Sequence, residues 1–393
     1  MNFDSKSGVY SSDAVCPSPQ IALSQVKPTT KRKSRGAKSA SVETNFGPHF
    51  TLEDAHTEVC QKTQGGYGYD VGLHWRILAA ILYGIYTWFP LNTASRIFGR
   101  LSRVPLPRVL RGPVVRAYAW IFSARLEEAE FHNDLARYNS ISHFFRRRLV
   151  PSARPVDPTA SLVSPADGKV ISCGKVEEGH LEQVKGLAYT LRALLGPHGR
   201  LERRHDLGAA KCLYHCAIYL APGDYHCFHS PADWNIDMRR HFPGRLFSVC
   251  SLVTSWLNGV FCINERAVYM GNWRHGFFAF VAVGATNVGS IHVFADPDLV
   301  TNRQPSYLRH LFTSRRGVKV TSNASGPTSD PASASECGTM PPIKTIKGEL
   351  FGEFNFGSTI VLIFEAPAGF QFFVKRAERV RVGQALGHVV SDS

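Results

Sequence analysis

Three short stretches carry side chains that could do chemistry. Ser164-Pro165-Ala166-Asp167-Gly168 sets one carboxylate in a tight turn. A turn aspartate usually accepts hydrogen bonds from its own backbone, so alone this stretch reads as structure. Ala221-Pro222-Gly223-Asp224-Tyr225-His226-Cys227-Phe228-His229-Ser230-Pro231 holds two histidines three apart, just after an apolar run. Three readings are open for the pair: a metal site, a general base, or histidines that only fill a core or loop. A zinc site would need a third ligand, and no nearby Glu or Cys pattern supplies one. A base beside a hydroxyl would turn that hydroxyl into a nucleophile. Gly357-Ser358-Thr359 offers such a hydroxyl, in a turn that runs straight into Ile360-Val361-Leu362-Ile363-Phe364. This is no nucleophile elbow, because GxSxG is absent and a strand rather than a helix follows. A Gly-Ser-Thr turn by itself is common.

The elements that must position these groups are β-rich. From Ser161 onward, short apolar runs are punctuated by Gly and Pro: Gly168–Ile171, Leu213–Leu220, Phe277–Val283 and Ser290–Phe294. That spacing predicts a mainly antiparallel β domain with peripheral helices, in an α+β chain. Residues 321–342 are rich in Ser, Pro, Gly and Thr and read as a mobile surface loop inserted in that domain. Residues 127–150 read as helical and polar, and open a catalytic domain placed at 127–393.

The N-terminal third has a different texture. Residues 1–70 are polar, with a basic knot at Lys31-Arg32-Lys33-Ser34-Arg35, and read as a disordered or targeting tail. Asp4 and Asp13 fit an acid-poor transit peptide badly, and no secretory h-region opens the chain. Residues 71–126 read as a membrane anchor followed by basic amphipathic helices. From Ile77 to Ser95 no residue is charged, close to the roughly 20 residues a membrane span needs. Beyond it Arg96, Arg100, Arg103, Arg108, Arg111 and Arg116 interleave with Ile97, Phe98, Leu101, Val104, Leu106, Val109 and Leu110, with no acid between Asp70 and Glu127. Such a stretch lies on anionic lipid.

Composition agrees. The 393 residues carry a formal net charge of +14 and 44% apolar residues, enough for a core and suited to an anionic partner. The charge sits beside an apolar run rather than on an aromatic-studded sheet, which argues against nucleic acid. Nine cysteines include no CxxC pair and read as buried free thiols rather than a disulfide or zinc framework.

In combination the three stretches are specific. Phe356-Gly357-Ser358-Thr359, with the Ser164–Gly168 and Asp224–Pro231 segments, resembles the phosphatidylserine decarboxylase family, most closely its mitochondrial type. Glu182–Gly186, Asn264-Glu265-Arg266 and Val283–Ile291 agree. The likeness runs from about residue 75 to 390. Phe356 departs from the family's usual Leu, and the first 70 residues do not match.

The resemblance implies a self-made cofactor and no metal. Ser358 Oγ would attack the Gly357 carbonyl, with His229 as its base and Asp167 holding the imidazole. Gly357 suits the step, since it leaves its carbonyl open and its backbone free to take strained angles. Elimination would split the chain into a β chain, 1–357, and an α chain, 358–393, which remain together as a heterodimer. Ser358 would become a covalent pyruvoyl group, the electron sink for decarboxylation of phosphatidylserine to phosphatidylethanolamine through a Schiff base. His226 would donate the proton to Cα. The implied site is the mitochondrial inner membrane, with the catalytic domain facing the intermembrane space; the atypical N-terminus leaves an endomembrane or lipid-droplet site open. Two rivals remain on the residues: a serine hydrolase that keeps Ser358 intact, and a non-catalytic protein that binds lipid through its basic stretch.

Overall fold

The computed structural model describes residues 90–177, 179–184, 187–196, 211–254, 257, 259–286, 290–302 and 336–389. The tail 1–70, residues 77–89 of the expected span and the loop segment 321–335 lie outside them.

An eight-stranded antiparallel sheet organises the described chain. Its order is β11 (Glu336–Thr345), β7 (Trp234–Phe242), β8 (Arg266–Trp273), β9 (Gly276–Gly284), β13 (Ser358–Pro367), β5 (Lys211–Leu220), β2 (Gly168–Lys175) and β15 (Arg379–Val380). β13 is hydrogen-bonded along its length to β5 and β9. Its apolar run is unbroken because both faces of the sheet are covered. Ile360, Leu362 and Phe364 join one core with Ile218, Leu220, Phe280, Phe228 and Phe354. Val361 and Ile363 join a second with Leu213, Ala217, Val281, Val283 and Phe261. Burying these five side chains of β13 stabilises the fold by on the order of 10 kcal/mol, an upper figure because the unfolded chain already hides some apolar surface.

Smaller sheets close the first core. One has the order β10 (Ile291–Val293), β12 (Leu350–Phe354), β6 (Cys227–His229), and the other β1 (Leu162–Val163), β16 (Ala385–Val389), β14 (Phe370–Phe372). The second core is covered by the hairpin of β3 (His180–Val184) and β4 (Leu187–Thr190) with short helices α4 (Leu191–Leu195), α5 (Ser251–Thr254) and α6 (Val260–Ile263). The mainly antiparallel β architecture is therefore as the Gly/Pro punctuation predicts.

Of the N-terminal elements, the basic helices and only the end of the expected span lie among the described residues. Helix α1 (Leu91–Leu101) starts after Pro90, which interrupts the uncharged run. It buries Leu91, Ser95 and Gly99, and Asn92 Nδ2 donates to Gly244 O at 2.8 Å. The end of the expected span thus folds onto the β domain. No helix among the described residues is long and apolar enough to cross a membrane. Helix α2 (Arg108–Phe122) follows and ends at Ser123 in the left-handed conformation. Its end presses on the loop before β6: a Cβ on Gly223 would stand 1.9 Å from Phe122 O, so that position admits only glycine. Tyr118 Oη donates to Pro222 O at 2.8 Å beside it.

Residues 127–150 are not a long helix. They hold a 3-10 turn (Leu135–Arg137) and one short helix, α3 (Ile141–Phe145), capped by Ser140 Oγ accepting from His143 N. Phe144 and Phe145 are fully buried, so aromatic packing rather than helical periodicity shapes the segment. The Ser/Pro-rich insertion also ends earlier than its composition suggests. Residues 336–342 belong to β11, where Glu336–Thr339 pair with His241–Met238 of β7 before an irregularity that ends at Ile343. The described cysteines Cys173, Cys212, Cys216, Cys227, Cys250 and Cys262 are all free thiols.

Candidate active site

Ser358 is the first residue of β13, opposite Leu220 on β5 and Gly284 on β9. It is fully buried, and its Oγ has no hydrogen-bond partner among the described residues. Leaving a buried hydroxyl unpaired costs about 1–3 kcal/mol, so a native chain keeps one there only for a reason. Thr359 Oγ1 beside it is unpaired as well.

The approach to Ser358 is strained. Phe356 has φ +69 and Gly357 φ +35, two left-handed residues in succession. For a bulky L-residue such as Phe356 that conformation is an outlier of the kind found at functional sites. Gly357 is different. A Cβ there would meet only Thr286 O at 3.7 Å, so glycine is needed for its angle and not for space. Asn355 pins the start of the turn: its N donates to Ser290 O at 3.0 Å, its Nδ2 to Ser290 Oγ at 3.0 Å, and its Oδ1 accepts from Ser142 Oγ at 3.2 Å.

The other two stretches are drawn to this turn by backbone hydrogen bonds. Phe354 N donates to His226 O at 2.9 Å, and His229 N donates to Pro165 O at 2.8 Å. Gly168 lies against β5, where a Cβ would come within 2.3 Å of Tyr219 O. The three motifs are thus one neighbourhood, although they are far apart in sequence.

His226 is fully buried, with its ring 3.9 Å from that of Phe145. Its Nδ1 lies 2.9 Å from Asp224 O, which assigns Nδ1–H as the donor and leaves Nε2 as an unpaired acceptor. Burial pushes its pKa down to about 3; the Asp224 carbonyl opposes this and the charge of Arg147 adds to it. The resting imidazole is therefore neutral. Arg147 shares the same acceptor, donating from Nη2 to Gly223 O at 2.8 Å and Asp224 O at 3.2 Å.

His229 sits at the far end of β6, opposite Leu350. Its Nδ1 is 2.8 Å from Gly348 O and its Nε2 is 3.2 Å from Tyr225 Oη. Burial lowers its pKa, while the Gly348 carbonyl and the Asp167 charge oppose that shift. Asp167 makes no hydrogen bond to His229. Its carboxylate accepts from Arg154 Nε at 2.8 and 3.1 Å, from Arg154 Nη2, and from Val382 N at 2.9 Å. Arg154 is anchored in turn by Glu128 at 2.7 Å. The structure gathers Asp167, His226, His229 and Ser358 into one region, but it does not join Asp167, His229 and Ser358 by side-chain hydrogen bonds. Among the described residues no group of three His, Cys, Asp or Glu could hold a metal ion.

Five positions here escape the sequence reading: Phe145, Arg147, Arg154, Tyr225 and Asn355. Tyr225 lies inside the histidine stretch and could have been suspected from its spacing, four before His229, alone. Asn355 adjoins the Phe356–Thr359 motif, and Phe145, Arg147 and Arg154 come from segments with no chemical signature of their own.

The sequence finds its counterpart among known proteins. Residues 141–388 match the family model for phosphatidylserine decarboxylase. The chain belongs to the phosphatidylserine decarboxylase family. The mitochondrial phosphatidylserine decarboxylase proenzyme of Rattus norvegicus is 44% identical over 328 residues, covering 80% of this chain and 75% of the relative. Proenzyme 1 of Schizosaccharomyces pombe is 37% identical over 409 residues, covering 87% and 88%. That of Saccharomyces cerevisiae is 33% identical over 383 residues, covering 78% and 74%. Both yeast proteins also carry the mitochondrial description. The family match begins at α3, so it takes in the helix that packs on His226 and on the turn before Ser358.

Proposed function

We propose that this protein is a phosphatidylserine decarboxylase made as a proenzyme, which cuts itself between Gly357 and Ser358 and converts phosphatidylserine to phosphatidylethanolamine and CO2. One observation carries the reading. In a chain of this family, a buried and unpaired serine hydroxyl opens a doubly paired strand, directly after two left-handed residues.

Cleavage would leave the short chain well held. β13, β14, β15 and β16 all lie beyond Ser358, and β13 is flanked on both sides by strands of the long chain. The two chains would therefore stay together as a heterodimer, with the new terminus inside the sheet. A pyruvoyl group at position 358 fits this setting, which is dry, apolar on the Ile360 face and without a competing hydrogen-bond partner. Bound there, its ketone supplies the electron sink that lets CO2 leave.

The chain's own residues handle protons. His229 donates Nδ1–H to Gly348 O, so its Nε2 is the basic atom; to serve Ser358 it exchanges its present partner, the Tyr225 hydroxyl. Asp167, fixed by Arg154 and Val382 N, acts on His229 as a nearby charge rather than by direct contact, and the charges of Arg148 and Arg154 oppose it. His226, whose Nε2 is unpaired, is the group we assign to deliver the proton to Cα after CO2 has left. Its low pKa makes it a weak holder of that proton and hence a strong donor.

The substrate lies in a bilayer, and α1 and α2 suit its surface. Val109, Trp120 and Ile121 are 82%, 84% and 62% exposed, on elements rich in arginine and free of acids. Such a face inserts apolar side chains beside anionic headgroups. The relatives' mitochondrial descriptions support a mitochondrial site, and we place the protein on the inner membrane with the β domain toward the intermembrane space.

The deciding experiment is the intact mass of the purified native protein. Two chains, the shorter being Ser358–Ser393 with a pyruvoyl N-terminus, are expected. A single full-length chain in an active preparation would overturn the proposal, and labelling of an intact Ser358 by a fluorophosphonate would favour a hydrolase.

A further inference from the structure

Phe356, the residue before the scissile pair, is held by more than its own backbone. It is nearly buried, yet it carries a left-handed φ of +69 that an L-residue leaves when nothing restrains it. Two rings restrain it. Phe145 of α3 stacks at 4.2 Å with planes tilted by 33°. Phe98 of α1 meets it edge-on at 4.9 Å and 74°. Phe145 continues the row to His226 at 3.9 Å. Phe98, Phe356, Phe145 and His226 thus form one line of rings from the surface to the buried imidazole.

The outer member is supplied by the arginine-rich N-terminal helix. Phe98 is 38% exposed, so its ring does little to fill a core; among the described residues its ring contact is the Phe356 edge. The helix that presents it is fixed independently, through Leu91, Ser95, Gly99 and the Asn92 bond to Gly244.

We infer that Phe98 is a positioning residue for self-cleavage: its ring closes over Phe356 and keeps the turn in the left-handed form that sets the Gly357 carbonyl beside Ser358. This rests on the reading of Gly357-Ser358 as the cleavage site. In that step Ser358 Oγ bonds to the Gly357 carbonyl carbon, the Gly357–Ser358 C–N bond breaks, and the hydroxyl proton ends on the freed Ser358 nitrogen. Phe98 touches none of these atoms. Its effect is to raise the fraction of chains in which they are aligned.

The test is the rate at which freshly synthesised full-length chain yields the Ser358–Ser393 fragment, followed by pulse-chase. Phe98→Ala is expected to slow cleavage by about three- to tenfold, the worth of one edge-on aromatic pair. Phe98→Tyr keeps the ring and is expected to restore the wild-type rate. In a Phe356→Leu background, where the partner ring is gone, Phe98→Ala is expected to have less than half its effect. Wild-type cleavage by Phe98→Ala, no rescue by tyrosine, or an equal effect in both backgrounds would overturn the inference. An uncut wild-type chain would overturn the cleavage-site reading itself.

Discussion

Replacing Gly357 by alanine separates backbone strain from steric blockage. The new methyl has room, since its nearest neighbour would be Thr286 O at 3.7 Å. The cost is conformational. Gly357 sits at φ +35, where an L-residue is about 1–2 kcal/mol less comfortable than in the right-handed region. The proenzyme relieves that strain by rotating the 357 peptide, which swings its carbonyl away from Ser358. The aligned population then falls by about 5- to 30-fold, since each 1.36 kcal/mol is a factor of ten. First-order self-cleavage of Gly357→Ala, followed by gel or intact mass, should slow by that factor and still reach completion. The mature variant should retain its decarboxylation rate per cleaved chain, because residue 357 ends on the other chain. A wild-type cleavage rate would show that the left-handed angle is irrelevant to the step. A complete block would show that the methyl obstructs the attack, against the open space seen here.

Four other outcomes follow from the same geometry. Ser358→Ala should give only full-length chain by mass, with no fragment at any time. His229→Ala should stop cleavage, whereas His226→Ala should cleave but turn over poorly, measured as lipid-dependent CO2 release; equal behaviour of the two would refute their division of labour. Trp120→Glu should weaken cosedimentation with phosphatidylserine vesicles by on the order of tenfold, since withdrawing about 55 Å² of apolar surface costs about 1.4 kcal/mol. The last concerns acid stability. His226 is held near pKa 3 in the fold against 6.5 in the free side chain, so the unfolded chain binds the extra proton. This group lowers stability as pH falls below about 6.5, by about 1.4 kcal/mol per pH unit until about pH 3. His226→Gln should flatten the urea-measured stability profile between pH 6 and 4 by about that slope, and an unchanged slope would refute the buried neutral imidazole.

The sequence by itself determined the family and the mainly antiparallel β character of the fold, and it named the candidate site positions. Gly357-Ser358 against Ile360–Phe364, the paired His226 and His229, and the Asp167 turn each read as ordinary structure alone; only their combination, through its resemblance to a family, singles them out. The antiparallel β character is readable locally, through Gly and Pro between short apolar runs. The segment 127–150 was not, because Phe144 is buried in a local cluster with Ala129, Leu135 and Tyr138, and Phe145 packs on His226 and Phe356 far along the chain. The covering of the end of the apolar N-terminal run was not legible either, since an uncharged stretch looks the same whether lipid or a β domain covers it. The tertiary structure alone decided the partners. Arg154 takes the Asp167 carboxylate, Gly348 and Tyr225 take the His229 ring, Asp224 O fixes the His226 tautomer, and Phe98 and Phe145 close on Phe356. Hydrogen bonds and ring contacts act over a few ångströms, whatever the separation in sequence. A linear pattern can therefore nominate candidate groups, while only the folded chain states which of them are held, which are free, and at what angle the bond between Gly357 and Ser358 is presented.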